Sequence, residues 1–442
     1  MRKLLISNLE DRPVVILGLG YVGMTLAAHL LQQGCKVHGV EVRNEVLDQL
    51  SLGKSFFHEP GIDKILSEAI AKDYFTFSRT INKEDVNRNF IITVGTPLNA
   101  EMKSDMSNIS RVAVEVARFL NDGDLVILRS TVKLGTTLST VRPILESSSK
   151  KFFLAFCPER TLEGNALQEL HFLPQIVGGI DLGSTQKAAT FFRNYTENVL
   201  EVKDSTTAEM IKLVDNMQRD AQFAISNEVA KMCTSLGIRA KDVIEFGKNG
   251  YPRTNLPKPG PVGGPCLEKD SLILAESFTK DDFKPLMSLG ARATNLSVIE
   301  NSITYLLRLL NDCELDSPRV ALLGMAFKGF PETDDLRGSS SIQFAKEFSD
   351  RCSRARIKVW DPVVKNLDLS SLDFEVIDEF ENCFQSVDLV ILLNNHQSLS
   401  AIKFKDLILE YERPILIYDL WDRYEQSEFP GNVMYSGWGN HE

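Results

Sequence analysis

Short apolar runs alternate with amphipathic stretches along most of this chain, and the rhythm changes twice. Val14–Leu17 is a four-residue apolar run bounded by glycine, which predicts a buried strand. A helical stretch follows through Leu31, Gly34 stops it, and KVHGVEV at 36–42 predicts a second strand. The same rhythm predicts strands in FIITVG (90–95), DLVILRS (124–130), FFLAFCP (152–158) and QIVGG (175–179), with a helix over 109–120. From Thr206 the period becomes helical for some thirty residues and ends at Gly237. A second helical stretch is expected over 268–310. The Gly- and Pro-rich segment 247–265 between them must be a loop. After a boundary at Asp316–Pro318 the strand rhythm returns in RVALLGMAF (319–327), ARIKVWDP (355–362), FEVID (374–378), VDLVILL (387–393) and, as the final strand, ILIYD (415–419).

The expected class is therefore α/β, with two doubly wound sheet domains joined by a long helix and a helical middle region. The expected boundaries are 1–205, 206–310 and 311–442. A chain of 442 residues is long enough for two or three cores.

Composition narrows the function by exclusion. The formal net charge is −11 and no run of Lys and Arg occurs, so no nucleic-acid partner is expected. No apolar stretch reaches the roughly 18 residues that span a bilayer, and residues 1–13 carry no signal-peptide pattern, so no membrane association is expected. Seven cysteines without a CxxC pair, and six histidines without HExxH spacing, argue against a disulfide framework and a metal site. The expectation is a cytoplasmic protein in a reducing compartment.

Gly18-Leu19-Gly20-Tyr21-Val22-Gly23 follows a strand and opens a helix. In that context GxGxxG binds a dinucleotide: Gly18 makes the tight turn, Gly20 admits the pyrophosphate, and Gly23 lets helix and strand pack. A nicotinamide cofactor is favoured over a flavin, and a purely structural turn is the bland alternative. Glu41, ending the second strand, would accept ribose hydroxyls and repel a 2′-phosphate, which favours NAD over NADP. Arg43 two residues on complicates that reading.

Ligands in such sheets sit at the carboxyl ends of strands. Three ends are chemically loaded: Gly95-Thr96-Pro97, Arg129-Ser130-Thr131 and Cys157-Pro158-Glu159-Arg160. Each alone could be turn residues and caps; together they read as a crevice, with Glu159 as candidate general base. Cys266 follows the Gly263-Gly264-Pro265 turn and precedes a helix, with Asp270 one turn on. Two readings stay open for it, a nucleophile or a small turn filler. Lys212, Asn216 and Arg219 form a polar line along the long helix. They suit either an exposed helix face or the stabilisation of an oxyanion.

Read together, these motifs resemble the UDP-glucose/GDP-mannose dehydrogenase family. The resemblance runs from about Pro13 to Asp422 through GLGYVG, HEPG (58–61), VGTPL (94–98), STVKLGTT (130–137), CPERTLEG (157–164), the 208–228 helix, PGPVGGPCLEKD (259–270), LGMAFKGFPETDDLRGS (323–339) and WDP (360–362). It implies an N-terminal Rossmann domain for NAD, a C-terminal α/β domain for the nucleotide of a nucleotide sugar, and a long helix in a homodimer or higher homo-oligomer. It implies two successive NAD-dependent oxidations of the sugar C6 hydroxyl to the uronic acid. Cys266 would carry the thioester, with Thr131 and Asp270 orienting water. Glu159 would act as base, and Lys212 and Asn216 would stabilise the oxyanion. Gly263 and the rest of 248–264, with Glu159, Arg160 and Lys328, would lie near the substrate, and Arg337 would reach the NAD side.

Departures from the family pattern are Glu41 for Asp, Pro265 beside the cysteine, Leu267-Glu268 after it, and Gly338 where Glu is common. CPERTLEG with QIVGG resembles the branch acting on UDP-N-acetylhexosamines, whereas GGPCLEKD is closer to the glucose branch. The acetylated sugar is the preferred reading. Two competing functions are a single-step nucleotide-sugar alcohol dehydrogenase and a non-catalytic nucleotide-sensing scaffold.

Overall fold

The structure is a computed structural model that describes residues 13–81, 88–278, 283–364, 367, 374–401, 408 and 413–440. Most of the N-terminal segment read for a signal peptide lies outside the described residues. The chain divides into two compact units. The first takes in described residues up to 215 and those of 272–284; the second takes in 216–271 and those from 285 on.

The first unit holds a sheet of β1 (Val14–Leu17), β2 (Val37–Val40), β3 (Phe75–Ser78), β4 (Asn89–Ile92), β5 (Asp124–Leu128), β6 (Phe152–Phe156), β7 (Gln175–Gly179) and β8 (Val199–Glu201). Their spatial order is β3-β2-β1-β4-β5-β6-β7-β8. All pairings are parallel except β6 with β7. Apolar residues on both faces of the inner strands bury the sheet between helical layers: Val14, Val15 and Ile16 are inaccessible to solvent, as are Leu125 to Leu128. The strand order reverses between β1 and β4, which places a crevice at their carboxyl ends.

The second unit repeats the design with β9 (Arg319–Leu323), β10 (Arg356–Trp360), β11 (Glu375–Val376), β12 (Leu389–Leu392), β13 (Ile415–Asp419) and β14 (Val433–Gly437). Their order is β11-β10-β9-β12-β13-β14, all parallel. Its reversal point lies between β9 and β12. There a side chain on Gly324 would meet the Asn394 carboxamide at 2.3 Å, so the absence of a Cβ at 324 is what lets the two strand-end turns approach.

Expectation and structure differ in several places, and the short strands β3 and β8 were not expected. ILIYD is not the final strand, because β14 follows it. The helical stretch expected over 268–310 is two helices, Asp270–Glu276 and Leu286–Asp312. Pro285 precedes the second and disfavours helical geometry in the residue before it. A helix at Ala240–Lys248 was not expected. The long helix runs Ser205–Leu236, and Gly237 leaves it with a positive φ of 65°, as a helix-ending glycine should.

Candidate active site

In the first unit the glycine loop has the geometry its sequence requires. Gly18 adopts φ +98°, and a Cβ on Gly23 would sit 2.0 Å from the Gly18 carbonyl. A Cβ on Gly20 would meet nothing within 4 Å. Gly20 caps the helix Tyr21–Gln32 without a side-chain cap, so the N–H groups of Tyr21, Val22 and Gly23 face outward at the positive end of the helix dipole. That open, uncapped turn fits a pyrophosphate.

The side chains around it are more committed than the sequence implied. Tyr21 donates its hydroxyl to the buried carboxylate of Glu59, which also accepts the Gly164 N–H at 2.8 Å. Burial and Glu59 together push the Tyr21 phenol far above its usual range. Tyr21 therefore offers a ligand its backbone, while its hydroxyl ties the loop to the 58–61 and 164 segments. Glu41 is buried and accepts the Leu19 N–H at 3.0 Å and a two-pronged contact from Arg43 at 3.1 and 2.9 Å. Burial raises its pKa, but Arg43 and neighbouring N–H groups outweigh this and hold it below the ordinary value. Thr96 and Thr131, from two of the loaded strand ends, meet where Thr96 Oγ1 donates to the Thr131 carbonyl at 2.6 Å.

The other loaded ends also converge. Arg129 Nη2 lies 2.7 Å from Glu159 Oε2, and Glu159 Oε1 accepts the N–H groups of Arg160 and Thr161 at 2.7 and 2.8 Å. Burial alone would raise Glu159, but the Arg129 charge and the Thr161 contacts leave its pKa lowered. A carboxylate held this way orients a water better than it takes a proton. Arg160 reaches Asp215 at 3.3 Å and the Pro174 carbonyl at 2.6 Å.

The long helix carries a buried polar stripe inside its apolar period: Glu209, Lys212, Asn216, Asp220 and Asn227 are each less than one-tenth exposed. Arg219 is exposed, so Asp220, not Arg219, continues the polar line. Glu209 accepts from Gly135 N at 2.5 Å and from Thr137 N and Oγ1 at 2.9 and 2.6 Å, fixing the loop after Thr131. Lys212 has no hydrogen-bond or ion-pair partner for its ammonium among the described residues, which leaves it available to a ligand.

In the second unit Cys266 is the exposed member of the seven cysteines, none of which forms a disulfide. Burial pushes the Cys157 thiol far up and Cys383 to about 12, which unfits both as nucleophiles. Cys266 lies in a turn; its carbonyl accepts the Asp270 N–H at 2.9 Å and so starts the next helix. Asp270 is fully buried. Its Oδ2 accepts from Asn216 Nδ2 at 2.5 Å, while Oδ1 has no hydrogen-bond partner. The structure thus brings Asn216, Asp270 and the Cys266 turn together and leaves Asp270 Oδ1 without a hydrogen bond, 4.0 Å from the Lys269 ammonium.

The cysteine turn is gripped by backbone. Gly264 N donates to the Gly338 carbonyl at 2.7 Å, and a Cβ on Gly263 would sit 2.5 Å from that oxygen. A Cβ on Gly338 would sit 2.1 Å from Glu268 Oε2. Two departures seen in the sequence are therefore one feature: the side chain absent at 338 leaves the space that the Glu268 carboxylate fills. Arg337 beside it forks onto Asp335 at 3.0 and 2.6 Å. Lys328 lies over the Phe327 ring, 5.5 Å from its centroid, in the turn after β9.

Sequence reasoning missed Glu59, Glu209, Asp220, Asn227 and Arg292. For the helical ones the signal was present: polar residues at three- and four-residue spacing within an apolar helix.

Comparison with known proteins decides what these parts belong to. Three domain models match in order: the NAD binding domain of the UDP-glucose/GDP-mannose dehydrogenase family at residues 12–196, its central domain at 206–297 and its UDP binding domain at 321–426. The chain belongs to the UDP-glucose/GDP-mannose dehydrogenase family. A UDP-N-acetyl-D-mannosamine dehydrogenase of Methanococcus maripaludis strain S2 is 30% identical over 408 residues, covering 91% of this chain and 90% of the relative. The structure of a UDP-D-ManNAc dehydrogenase from Pyrococcus horikoshii matches with a TM-score of 0.85 at 26% identity, over 97% and 99% of the two chains. That of a UDP-N-acetyl-mannosamine dehydrogenase from Staphylococcus aureus matches with a TM-score of 0.82 at 28% identity, over 97% and 98%.

As a member of this family the chain is an NAD-dependent nucleotide-sugar dehydrogenase, an oxidoreductase with a UDP binding domain. Among the described residues no helix is long and apolar enough to cross a membrane.

Proposed function

We propose that this dehydrogenase oxidises the C6 hydroxyl of a UDP-N-acetylhexosamine twice, giving the uronic acid. The balance is one primary alcohol, two NAD⁺ and one water to one carboxylate, two NADH and three protons. NAD, held by Gly18, Gly20, Tyr21, Val22, Gly23, Glu41, Thr96, Thr131 and Arg337, supplies the hydride acceptor at each oxidation.

The observation that carries this reading is the exposed Cys266 in a fixed turn that leads into Asp270, whose Oδ1 accepts no hydrogen bond and faces the Lys269 ammonium at 4.0 Å. Cys266 Sγ attacks the aldehyde carbon left by the first oxidation, and the thiohemiacetal, once oxidised, is a thioester. Lys212 and Asn216 stabilise the oxyanion through a cation and an amide donor. Asp270, Thr131 and Glu159 orient the water that releases the acid. Gly263, Glu159, Arg160 and Lys328 hold the nucleotide sugar. The acetylated sugar is supported by CPERTLEG at 157–164 and by relatives named as UDP-N-acetyl-D-mannosamine dehydrogenases. We assign NAD binding to residues 1–205, the bridge and cysteine loop to 206–310, and nucleotide binding to 311–442.

The reading includes a homodimer. An apolar stripe of Ile225, Met232 and Leu236 runs along the long helix, 44%, 52% and 72% exposed, at the spacing of one helix face. Leu286, Leu289 and Leu296 form a second such stripe in the same unit. Seven cysteines without a disulfide fit a reducing compartment, the cytoplasm.

The test is a panel of UDP- and GDP-sugars, scoring NADH per sugar and product mass. Two NADH and an acid from a UDP-N-acetylhexosamine is the expected result. One NADH and an aldehyde would make it a single-step dehydrogenase, and tight NAD binding without NADH would make it a scaffold. Cys266→Ser should abolish acid release; full acid production by that variant would sink the thioester route.

A further inference from the structure

One guanidinium holds both ends of the bend that carries Cys266. Arg292, on the Leu286–Asp312 helix, is 3% exposed. Its Nη1 donates to the Leu267 carbonyl at 2.9 Å and its Nη2 to the Val262 carbonyl at 3.2 Å. These carbonyls flank the cysteine on either side. Nη1 also donates to Asp220 Oδ1 at 2.9 Å. Asp220 is fully buried, and it is fixed in turn by Asn295 Nδ2 at 2.7 Å and by Ser271 Oγ at 3.2 Å. The planar fork of an arginine can bridge two separated carbonyls, whereas a lysine ammonium acts from a single point. A buried ion pair is weak support for stability compared with apolar packing of the same volume. What this pair adds is direction: it sets where the bend between Val262 and Leu267 lies relative to the helix that supplies Asn216.

We propose that Arg292, oriented by Asp220, is a positioning residue for the Cys266 thiol and acts selectively on the second oxidation. This rests on the two-step reading given above. The first oxidation converts alcohol to aldehyde and forms no bond to sulfur. The second requires Cys266 Sγ to bond to the aldehyde carbon, so it demands a near-attack placement, and a displacement near 1 Å costs on the order of 10²-fold in rate. Loosening the bend therefore separates the two steps.

The experiment is Arg292→Lys in the full-length enzyme, in rapid-quench turnover with NAD⁺ and the best UDP-sugar of the panel. NADH is counted per sugar, and aldehyde and acid are resolved by mass spectrometry. The expected result is a first NADH at a rate within about threefold of wild type, acid formation slowed on the order of 10²-fold, NADH per sugar falling from two toward one, and an unchanged KM for NAD⁺. Asp220→Asn, nearly isosteric, should shift the partition in the same direction, and it carries the test if Arg292→Lys does not fold. Equal slowing of both steps, with two NADH per sugar kept, would overturn the proposal. A wild-type enzyme that itself yields a single NADH per sugar would instead overturn the two-step reading.

Discussion

Asn216 Nδ2 donates to Asp270 Oδ2 at 2.5 Å, joining the long helix to the first residue of the helix that follows Cys266. Asp270 is wholly buried and its other oxygen accepts no hydrogen bond. Removing the amide therefore strips the side-chain hydrogen bond from a buried carboxylate. Asn216→Ala should lower kcat for acid formation by about 10²-fold, the scale of one lost oxyanion donor, and destabilise the fold by about 1–3 kcal/mol. Steady-state assays with denaturant melts check both; an unchanged kcat would remove Asn216 from the site.

Glu159 gives a prediction with a definite sign in pH. Burial raises it, Arg129 and the Thr161 contacts more than offset that, and its folded-state pKa lies below the ordinary value. Its contribution to stability is therefore complete above the unfolded carboxylate value of about 4.3 and is lost as pH falls through the lower folded value. The stability gap between wild type and Glu159→Gln should be widest near neutrality and close in acid. Thermal melts from pH 7 to pH 3 measure it, and a gap that widens in acid would refute the assignment.

The grip on the cysteine turn predicts steep penalties for small changes. Gly264 sits at φ +98°, and a methyl group there would lie 2.4 Å from the Phe327 ring. Gly264→Ala should cost at least about 1–3 kcal/mol from the backbone conformation alone. At Gly338 the obstruction is the end of the Glu268 side chain, so Gly338→Ala should cost less in a Glu268→Ala background. A double-mutant cycle by chemical denaturation should give a coupling of roughly 0.5–3 kcal/mol; strict additivity would show that the two positions do not share the space.

The exposed stripe on the long helix predicts an assembly state. Leu236→Arg together with Met232→Arg should convert a dimer into a monomer in light scattering, because two buried charges without partners oppose association. A wild-type protein that is monomeric at assay concentrations would dispose of the dimer.

Most strands legible from sequence were the inner ones, the exception being the exposed edge strand β11, read from FEVID. VVIL, DLVIL and QIVGG are apolar on both faces because helices cover both sides of a parallel sheet. The missed strands β3, β8 and β14 are peripheral: β8 has three residues, none of them buried, and β14 alternates buried Val433 and Tyr435 with exposed Met434. Their identity as strands comes from a neighbour rather than from their own pattern. The site divides the same way. Gly18–Gly23 and Cys266 could be read because their neighbours in sequence constrain them. The polar spacing of Asp220 on its helix was visible, but the pairing of Tyr21 with Glu59 and of Asp220 with Arg292 was not, because these partners lie 38 and 72 residues apart. Arg43 was noticed, but its neutralising grip on Glu41 depends on side-chain direction, which spacing does not reveal.

The polar stripe of the long helix makes its rotational phase a functional quantity. Each residue turns an α-helix by about 100° and advances it about 1.5 Å. Asp220 meets Arg292 and Asn295, and seven residues on Asn227 meets Gly260, Asn295 and the Trp438 indole. One residue inserted between them would swing one set of partners about a quarter turn out of line while lengthening the helix hardly at all. The helix behaves as a keyed shaft, whose teeth are carboxylates and amides: it tolerates substitution on its outer face and refuses a change of pitch count between its teeth.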